Sequence, residues 1–123
     1  MLTQDDRVLA FLDIGPLSHG HALVIPKAHY VTVDQMPDDL AAACAAIIPR
    51  LSRAIMAATG ESAWNVLQNN GRRAHQAVDH VHFHIIPQIG GQGLGIGWLA
   101  NSLDNSDAAV ILEKIQSALG SNA

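Results

Sequence analysis

The chain has 123 residues, 49% of them hydrophobic, so we expect residues 1–123 to form a single domain with a sizeable core. The formal net charge of −4 argues against nucleic-acid binding and against attachment to an anionic membrane, because both favour a basic surface. The single cysteine, Cys44, cannot form an internal disulfide, and no apolar run approaches the roughly 20 residues that span a bilayer. A cytoplasmic protein is therefore expected.

The first part of the chain predicts a β-hairpin. Residues 7–14 (RVLAFLDI) and 21–26 (HALVIP) are short apolar runs typical of strands. The GPLSHG stretch between them is rich in turn residues. Two strands joined by so short a turn are expected to pair antiparallel.

A long helical segment is predicted over residues 38–59, where apolar residues recur at helical spacing. Gly60 is a suitable end for this helix. Pro49 lies inside the segment and removes one helical hydrogen bond, so we expect either a kink or two shorter helices. Cys44 falls on the apolar face and is expected to be a small buried residue.

The second half of the chain predicts two further strands, a glycine-rich loop and a helix. The strands are expected at residues 62–69 and at residues 77–87, where apolar and polar residues alternate. A helix is expected over residues 104–120, with Asp104, Asn105 and Ser106 as candidate caps and Gly120 as its end. Short connections within each strand pair favour antiparallel pairing, so the predicted class is α+β.

Three histidines alternate with apolar residues in HVHFH, residues 80–84. Side chains of a strand point alternately to opposite faces, so His80, His82 and His84 would share one face and the apolar residues would share the core face. Three imidazoles on one face are unlike ordinary core, because each buried ring nitrogen needs a hydrogen-bond partner. The pattern predicts a functional site.

Two chemistries fit this row of imidazoles. The first is a metal site, built from two adjacent histidines and a third ligand such as His19 or His21. His80 and His84 would be about 13 Å apart at roughly 3.3 Å per residue, too far to share one ion. The second is nucleophilic catalysis by a central imidazole, of which roughly three quarters is neutral at pH 7. The even spacing favours the second chemistry and leaves the first open.

Several segments resemble the histidine triad (HIT) family. HVHFHII, residues 80–86, resembles the triad signature, and FLDIGPLSHGHALVIPKAH, residues 11–29, resembles the first conserved block. NNGRRAHQAVDH leads into the triad as in the family, and GLGIGW resembles the tail of its bacterial, Hint-like branch. The CxxC zinc pair of many bacterial members is missing, so no structural zinc is expected.

The resemblance implies a nucleotide-binding hydrolase or transferase without a metal or other cofactor. Such an enzyme cleaves the bond between the α-phosphate of an AMP-like purine nucleotide and a phosphoramidate, polyphosphate or acyl leaving group. His82 would attack and form a covalent nucleotidyl-histidine, while His80 and His84 would orient it and hold phosphate oxygens. The implied activity is that of a nucleoside phosphoramidase or dinucleoside-polyphosphate hydrolase. The implied fold is a five-stranded antiparallel sheet with two helices, joined into a ten-stranded sheet in a homodimer.

The resemblance also assigns six nucleotide-binding positions. The base and ribose would contact Phe11, Asp13 and Ile14, and His21 would border the same pocket. Asn69 would contact ribose or phosphate, and Gln76 would contact phosphate. Trp98 either flanks the leaving group or packs in the core or a dimer interface. His19, His29 and His75 are expected at the surface, and Arg72 and Arg73 in a solvated loop.

Two residues depart from the family pattern. His75 stands where many relatives have a glycine, and Ala77 stands where the eukaryotic branches have a serine or threonine. His75 is expected to change how the backbone approaches phosphate, and the missing hydroxyl at Ala77 is expected to affect substrate preference and rate. Two alternatives follow: a nucleotide-binding module with little turnover that acts through partners, and a histidine-based metal-binding protein.

Overall fold

The computed structural model describes residues 1–121, which form an antiparallel five-stranded sheet packed against helices. The strands pair in the order β1-β2-β3-β5-β4. Their bounds are β1 Thr3–Gln4, β2 Val8–Leu12, β3 Ala22–Pro26, β4 Trp64–Gln68 and β5 Phe83–Pro87. The helices are α1 Asp38–Ala46, α2 Ile48–Thr59 and α3 Asn105–Ser121, with short 3₁₀ turns at Val33–Gln35 and Arg72–Ala74. The predicted α+β class, antiparallel sheet and helical segments are confirmed.

The predicted hairpin is formed by β2 and β3, whose register sets the two faces of the sheet. Ala10 pairs with Val24, which in turn pairs with Phe83, and these residues face the helices. On the opposite face, Leu23 lies between Phe11 and His84. The strand alternation therefore separates a core face from a second face that carries an aromatic ring and an imidazole.

The helical segment is divided into two helices at Ile47. Pro49 lies in the first turn of α2, where its missing N–H costs no helical hydrogen bond. α1 packs against β3 and α2 against β5, and buried Leu40, Cys44 and Ile55 belong to the core. The segment Asp38–Thr59 is long and apolar enough to span a membrane by length and composition alone, but its buried side chains pack against the sheet.

The predicted strand over residues 77–87 is correct only from Phe83 onward. Extending the β3–β5 register places Pro26 opposite Val81, and proline has no N–H to donate to a ladder. The Val81 N–H instead donates to the Tyr30 carbonyl at 2.8 Å. His80 and His82 therefore lie in an extended segment that leads into β5, and only His84 belongs to the strand.

α3 lies outside the core. Asp104 caps it as predicted, because its Oδ1 accepts the Asp107 N–H at 2.9 Å. The prediction that Gly120 ends the helix is wrong, because the helix continues to Ser121 and Gly120 does not adopt a left-handed conformation. Apolar side chains remain exposed along this helix, namely those of Val110, Ile111, Leu112, Ile115 and Leu119.

Candidate active site

His82 and His84 lie between two cavities on the second face of the sheet. The wide cavity, of about 510 Å³, is also lined by Asn69, His75, Ala77, Leu94, Gly95 and Ile96. The apolar cavity, of about 430 Å³, is also lined by Phe11, Leu23, Ile25, Ala77, Val78 and His80. Asp13 borders both cavities. A ligand placed across the two imidazoles would reach into both spaces.

His82 is held in a single tautomer by the backbone. Its Nδ1 lies 2.8 Å from the carbonyl oxygen of His80. A carbonyl only accepts, so Nδ1 carries the proton and Nε2 of the neutral ring carries a lone pair. Nε2 has no hydrogen-bond partner within residues 1–121. The ring therefore presents an unprotonated nitrogen at the junction of the cavities.

His84 is oriented by a chain of hydrogen bonds that begins at the backbone. The Leu17 N–H donates to Nδ1 of His21 at 3.1 Å, so the proton of the neutral His21 ring sits on Nε2. That Nε2 lies 2.9 Å from Nδ1 of His84 and donates to it. The proton of His84 must then be on its own Nε2, which is free to donate to a ligand.

Burial keeps both of these histidines neutral. Burial, together with the nearby His82 and His21, lowers the pKa of His84 to about 4, while Asp13 opposes this shift. Burial likewise lowers the pKa of His21, again against the effect of Asp13. The hydrogen bonds also favour the neutral state, because the Nδ1–H of a doubly protonated His84 would point at the Nε2–H of His21. His84 thus remains a neutral donor at physiological pH.

Asp13 follows β2 and turns toward the histidines. Its Oδ1 accepts the Gly15 N–H at 2.8 Å, which fixes the carboxylate. Its Oδ2 is 3.6 Å from Nε2 of His21, too long for a hydrogen bond. One carboxylate oxygen therefore remains available to accept hydrogen bonds at the entrance of both cavities.

His80 is fixed at both ring nitrogens. Its Nε2 lies 2.8 Å from the carbonyl oxygen of Pro26 and so carries a proton. Its Nδ1 lies 3.0 Å from Nδ1 of His29, with the ring centroids 5.0 Å apart. His80 borders the apolar cavity, but neither nitrogen is free for a ligand. His29 is exposed, as predicted, and it is also a direct contact of the triad.

Two of the predicted nucleotide-binding residues are not at the cavities. The side chain of Ile14 is fully exposed and lines neither one. Gln76 is buried, and its amide donates to the carbonyls of Val31 and Val78 and accepts the Gly71 N–H. The Gln76 N–H donates to the Gly71 carbonyl at 3.1 Å. The predicted phosphate contact of Gln76 therefore finds no support in this geometry, which gives Gln76 a role in holding the loop before the triad.

The remaining predicted positions are brought together. Phe11, Asp13 and His21 converge with His82 and His84, and Asn69 lines the wide cavity. The Asn69 amide donates to the carbonyl of His75 at 3.4 Å. Trp98 is 85% exposed and lines neither cavity.

His75 is the one non-glycine residue with a positive φ, 69°, within the described part of the chain. This left-handed conformation is one that glycine adopts without strain. The backbone turn expected of a glycine is therefore retained with a histidine. The imidazole of His75 is exposed and faces the wide cavity.

Sequence reasoning did not identify Leu23 and Ile25 as lining residues. Both alternate in β3 with the buried Ala22 and Val24, so they lie on the same face as Phe11. Their alternation was visible in the sequence, but the face on which the site lies became clear only from the register.

The carboxylate of Asp13 and the imidazoles of His21 and His84 could hold a metal ion, since their ligand atoms lie within 4.8 Å of one another. The two imidazole nitrogens, however, already satisfy each other at 2.9 Å, and the Leu17 N–H fixes the proton between them. The hydrogen bonds account for the cluster without an ion, and the metal alternative becomes a matter for experiment.

One known protein family matches most of this chain. The model of the HIT domain family matches residues 1–90, which include the hairpin and all three histidines of the triad. The chain belongs to the HIT family. The match confirms the family, whereas assignment to its bacterial branch remains a prediction.

HIT-family relatives resemble this chain in sequence and structure. It is 48% identical over 112 residues to the adenosine 5′-monophosphoramidase of Schizosaccharomyces pombe, covering 90% of this chain and 81% of that protein. It is 48% identical over 87 residues to an adenylylsulfatase of Arabidopsis thaliana, covering 71% of this chain but 44% of that protein. The crystal structure of a histidine triad nucleotide-binding protein from Candida albicans superposes with a TM-score of 0.89 at 36% identity, covering 99% and 89% of the two chains.

Proposed function

We propose that this HIT protein hydrolyses AMP conjugates, with adenosine phosphoramidates as the preferred class, through a covalent nucleotidyl-histidine on His82. The observation that carries the proposal is the unprotonated Nε2 of His82, which is fixed by the His80 carbonyl and faces both cavities. The similarity to an adenosine 5′-monophosphoramidase supports the substrate class.

In the first step the Nε2 lone pair of His82 attacks the α-phosphorus. A nitrogen–phosphorus bond forms, and the bond from phosphorus to the leaving amine breaks. The amine departs with a proton from water. His84 donates its Nε2–H to a phosphoryl oxygen and stabilises the charge that develops there. It remains neutral throughout, because its Nδ1 is occupied by the His21 Nε2–H.

In the second step water attacks phosphorus, the bond to His82 breaks, and AMP is released. The proton lost by the attacking water neutralises the hydroxide left by the first step. The His80 carbonyl stabilises the positive charge that His82 carries while it is nucleotidylated, because the Nδ1–H donates to that oxygen. Ala77 borders both cavities and supplies no hydroxyl to hold the phosphate. Phosphate binding therefore relies more on His84.

The apolar cavity suits the purine base. Phe11, Leu23 and Ile25 form an apolar wall on the second face of the sheet. The free oxygen of Asp13 is positioned to accept hydrogen bonds from the ribose hydroxyls. The leaving group would then extend into the wide cavity toward His75 and Asn69.

We also propose a cytoplasmic homodimer joined at β4. This strand is one of the two edges of the sheet, and its exposed Trp64 and Val66 lie on the side that faces the helices. An unpaired edge with exposed apolar side chains is a ready site for strand addition. Pairing of two β4 edges would give a ten-stranded sheet and cover both side chains. Trp98, which is exposed in the single chain, would pack against the second copy.

The experiment is steady-state hydrolysis of adenosine 5′-phosphoramidate by the wild type, His82→Asn and a control, His19→Asn. Asparagine at position 82 can still donate to the His80 carbonyl but has no counterpart of Nε2. We expect His82→Asn to lose at least about 1,000-fold in kcat and to retain AMP binding by calorimetry. His19 lines neither cavity, so its variant should match the wild type.

Three outcomes would reject the proposal. An active His82→Asn variant would exclude His82 as the nucleophile. AMP binding without turnover across phosphoramidate, polyphosphate and acyl substrates would favour the nucleotide-binding module. Loss of activity on chelation, with recovery on adding zinc, would favour a metal held by Asp13, His21 and His84.

A further inference from the structure

We propose that His29 is a positioning residue of the active site, which fixes the tautomer of His80 and thereby holds the backbone that orients the nucleophile. The inference rests on the proposed function, since it assigns His29 a part in the same reaction. His29 follows β3 and comes 51 positions before His80 in the chain, and it lines neither cavity. Its effect must therefore pass through His80.

The proton positions at His80 follow from its two partners. The Pro26 carbonyl can only accept, so Nε2 of His80 carries a proton. In the neutral ring, Nδ1 then has a lone pair and needs a donor. The atom that faces it at 3.0 Å is Nδ1 of His29, which must carry the proton of this contact. His29 thus acts as the donor that completes the hydrogen bonding of a half-buried ring.

The alternative proton arrangements are less favourable. If His80 carried its proton on Nδ1, the unprotonated Nε2 would face the Pro26 oxygen at 2.8 Å, with two lone pairs opposed. If both rings were doubly protonated, two N–H groups would meet at 3.0 Å. His29 with a protonated Nδ1 therefore selects one state of His80, and the same contact fixes the ring plane.

The position of His80 affects His82 through the backbone. The carbonyl oxygen of His80 is the acceptor that keeps the His82 proton on Nδ1 and its lone pair on Nε2. His80 lies in the extended segment before β5, where no ladder from β3 holds the backbone. The Val81 N–H, in the same peptide unit as that carbonyl, donates to the Tyr30 carbonyl. The side-chain contacts of His80 to Pro26 and His29 fix the orientation of this unit from its other side. Removing the His29 contact should therefore make the hydrogen bond between Nδ1 of His82 and the His80 carbonyl less well defined.

The test compares His29→Ala and His29→Asn with a control, His19→Ala. The asparagine amide nitrogen occupies the place of Nδ1 and retains an N–H donor, whereas alanine removes it. We expect His29→Ala to lower kcat for adenosine 5′-phosphoramidate by about 3- to 10-fold, the worth of one hydrogen bond, with little change in KM. His29→Asn should recover most of kcat, and His19→Ala should match the wild type.

A second measurement is independent of turnover. ¹⁵N NMR of histidine-labelled, ligand-free protein distinguishes protonated from unprotonated ring nitrogens. In the wild type and in His29→Asn we expect His80 protonated at Nε2 alone and His82 at Nδ1 alone. In His29→Ala we expect mixed tautomers at one or both rings.

Two results would overturn the inference: unchanged tautomers and kcat in His29→Ala, or an equal loss of kcat in His29→Ala and His29→Asn. A wild type that turns over none of the substrates would reject the proposed function instead. The NMR comparison would then still decide whether His29 fixes the state of His80.

Discussion

His84 should make the protein's stability sensitive to acid. Burial and the neighbouring His82 and His21 lower its pKa from 6.5 to about 4 in the folded protein. Between these two pH values the unfolded chain binds a proton at this residue and the folded chain does not, so acid favours unfolding. Each pH unit in this window contributes about 1.4 kcal/mol, for a total of about 3 kcal/mol. This stability is fully present above pH 6.5 and is lost as the pH falls to about 4.

The perturbation that isolates this effect is His84→Asn. The asparagine oxygen can accept the Nε2–H of His21 in place of Nδ1, but the amide does not titrate. The free energy of unfolding is measured by urea titration of both proteins at pH values from about 7 to about 4. The histidines that do not contact His84 are common to both proteins, so their contributions cancel in the difference.

We expect the wild type to lose about 3 kcal/mol more than His84→Asn over this range. The variant is expected to be the less stable protein at neutral pH and to approach or exceed the wild type near pH 4. Parallel stability curves would refute the reasoning, because they would mean that His84 takes up a proton equally well in the folded and unfolded chains.

Three further predictions concern the backbone, the ribose and the interface. His75→Gly should raise the free energy of unfolding by about 0.5–1 kcal/mol, because relief of the left-handed strain exceeds the added chain entropy. The control Ala74→Gly should lower it. Chemical denaturation in which both variants shift the free energy of unfolding in the same direction would contradict this prediction. Asp13→Asn should raise KM for adenosine 5′-phosphoramidate about 10-fold and have little effect on a substrate lacking the ribose hydroxyls; equal effects on both substrates would exclude the ribose contact. Trp64→Arg should give a single-chain sedimentation mass at micromolar concentration, where the wild type is expected to be a dimer; an unchanged mass would place the interface elsewhere.

Much of the fold follows from local patterns. The hairpin of β2 and β3 was predictable because two apolar runs flank a turn rich in glycine and proline. The division of the helical segment was predictable because Pro49 restricts the backbone wherever it lies. These features depend on residues close together in the chain, which is why the sequence alone indicates them.

The start of β5 and the contacts of His80 depend on residues far away in sequence. The ladder stops at Phe83 because a proline of another strand lies across from Val81, a fact that appears only with the register. His29 is exposed as predicted, but its contact with His80, 51 positions away, does not appear in the sequence pattern. Gln76 was assigned to phosphate, yet its amide is used by the backbone of Val31, Val78 and Gly71.

The triad itself was predictable as a site, but the role of each ring was not. Alternation placed His82 and His84 near each other without indicating which nitrogen carries a proton. The tautomers follow from acceptors and donors outside the motif, namely the His80 carbonyl and the Leu17 N–H that acts through His21. The proton positions on the rings of the site can therefore be assigned only when the surrounding backbone is known.

The central claim is that Nε2 of His82 forms a bond to phosphorus. Quenched-flow mass spectrometry with adenosine 5′-phosphoramidate tests it most directly, with peptide mapping of the trapped protein. We predict a transient mass increase of one adenylyl group, located on His82, that forms and decays at rates consistent with kcat. Turnover without such an adduct, or an adduct on another residue, would contradict the account.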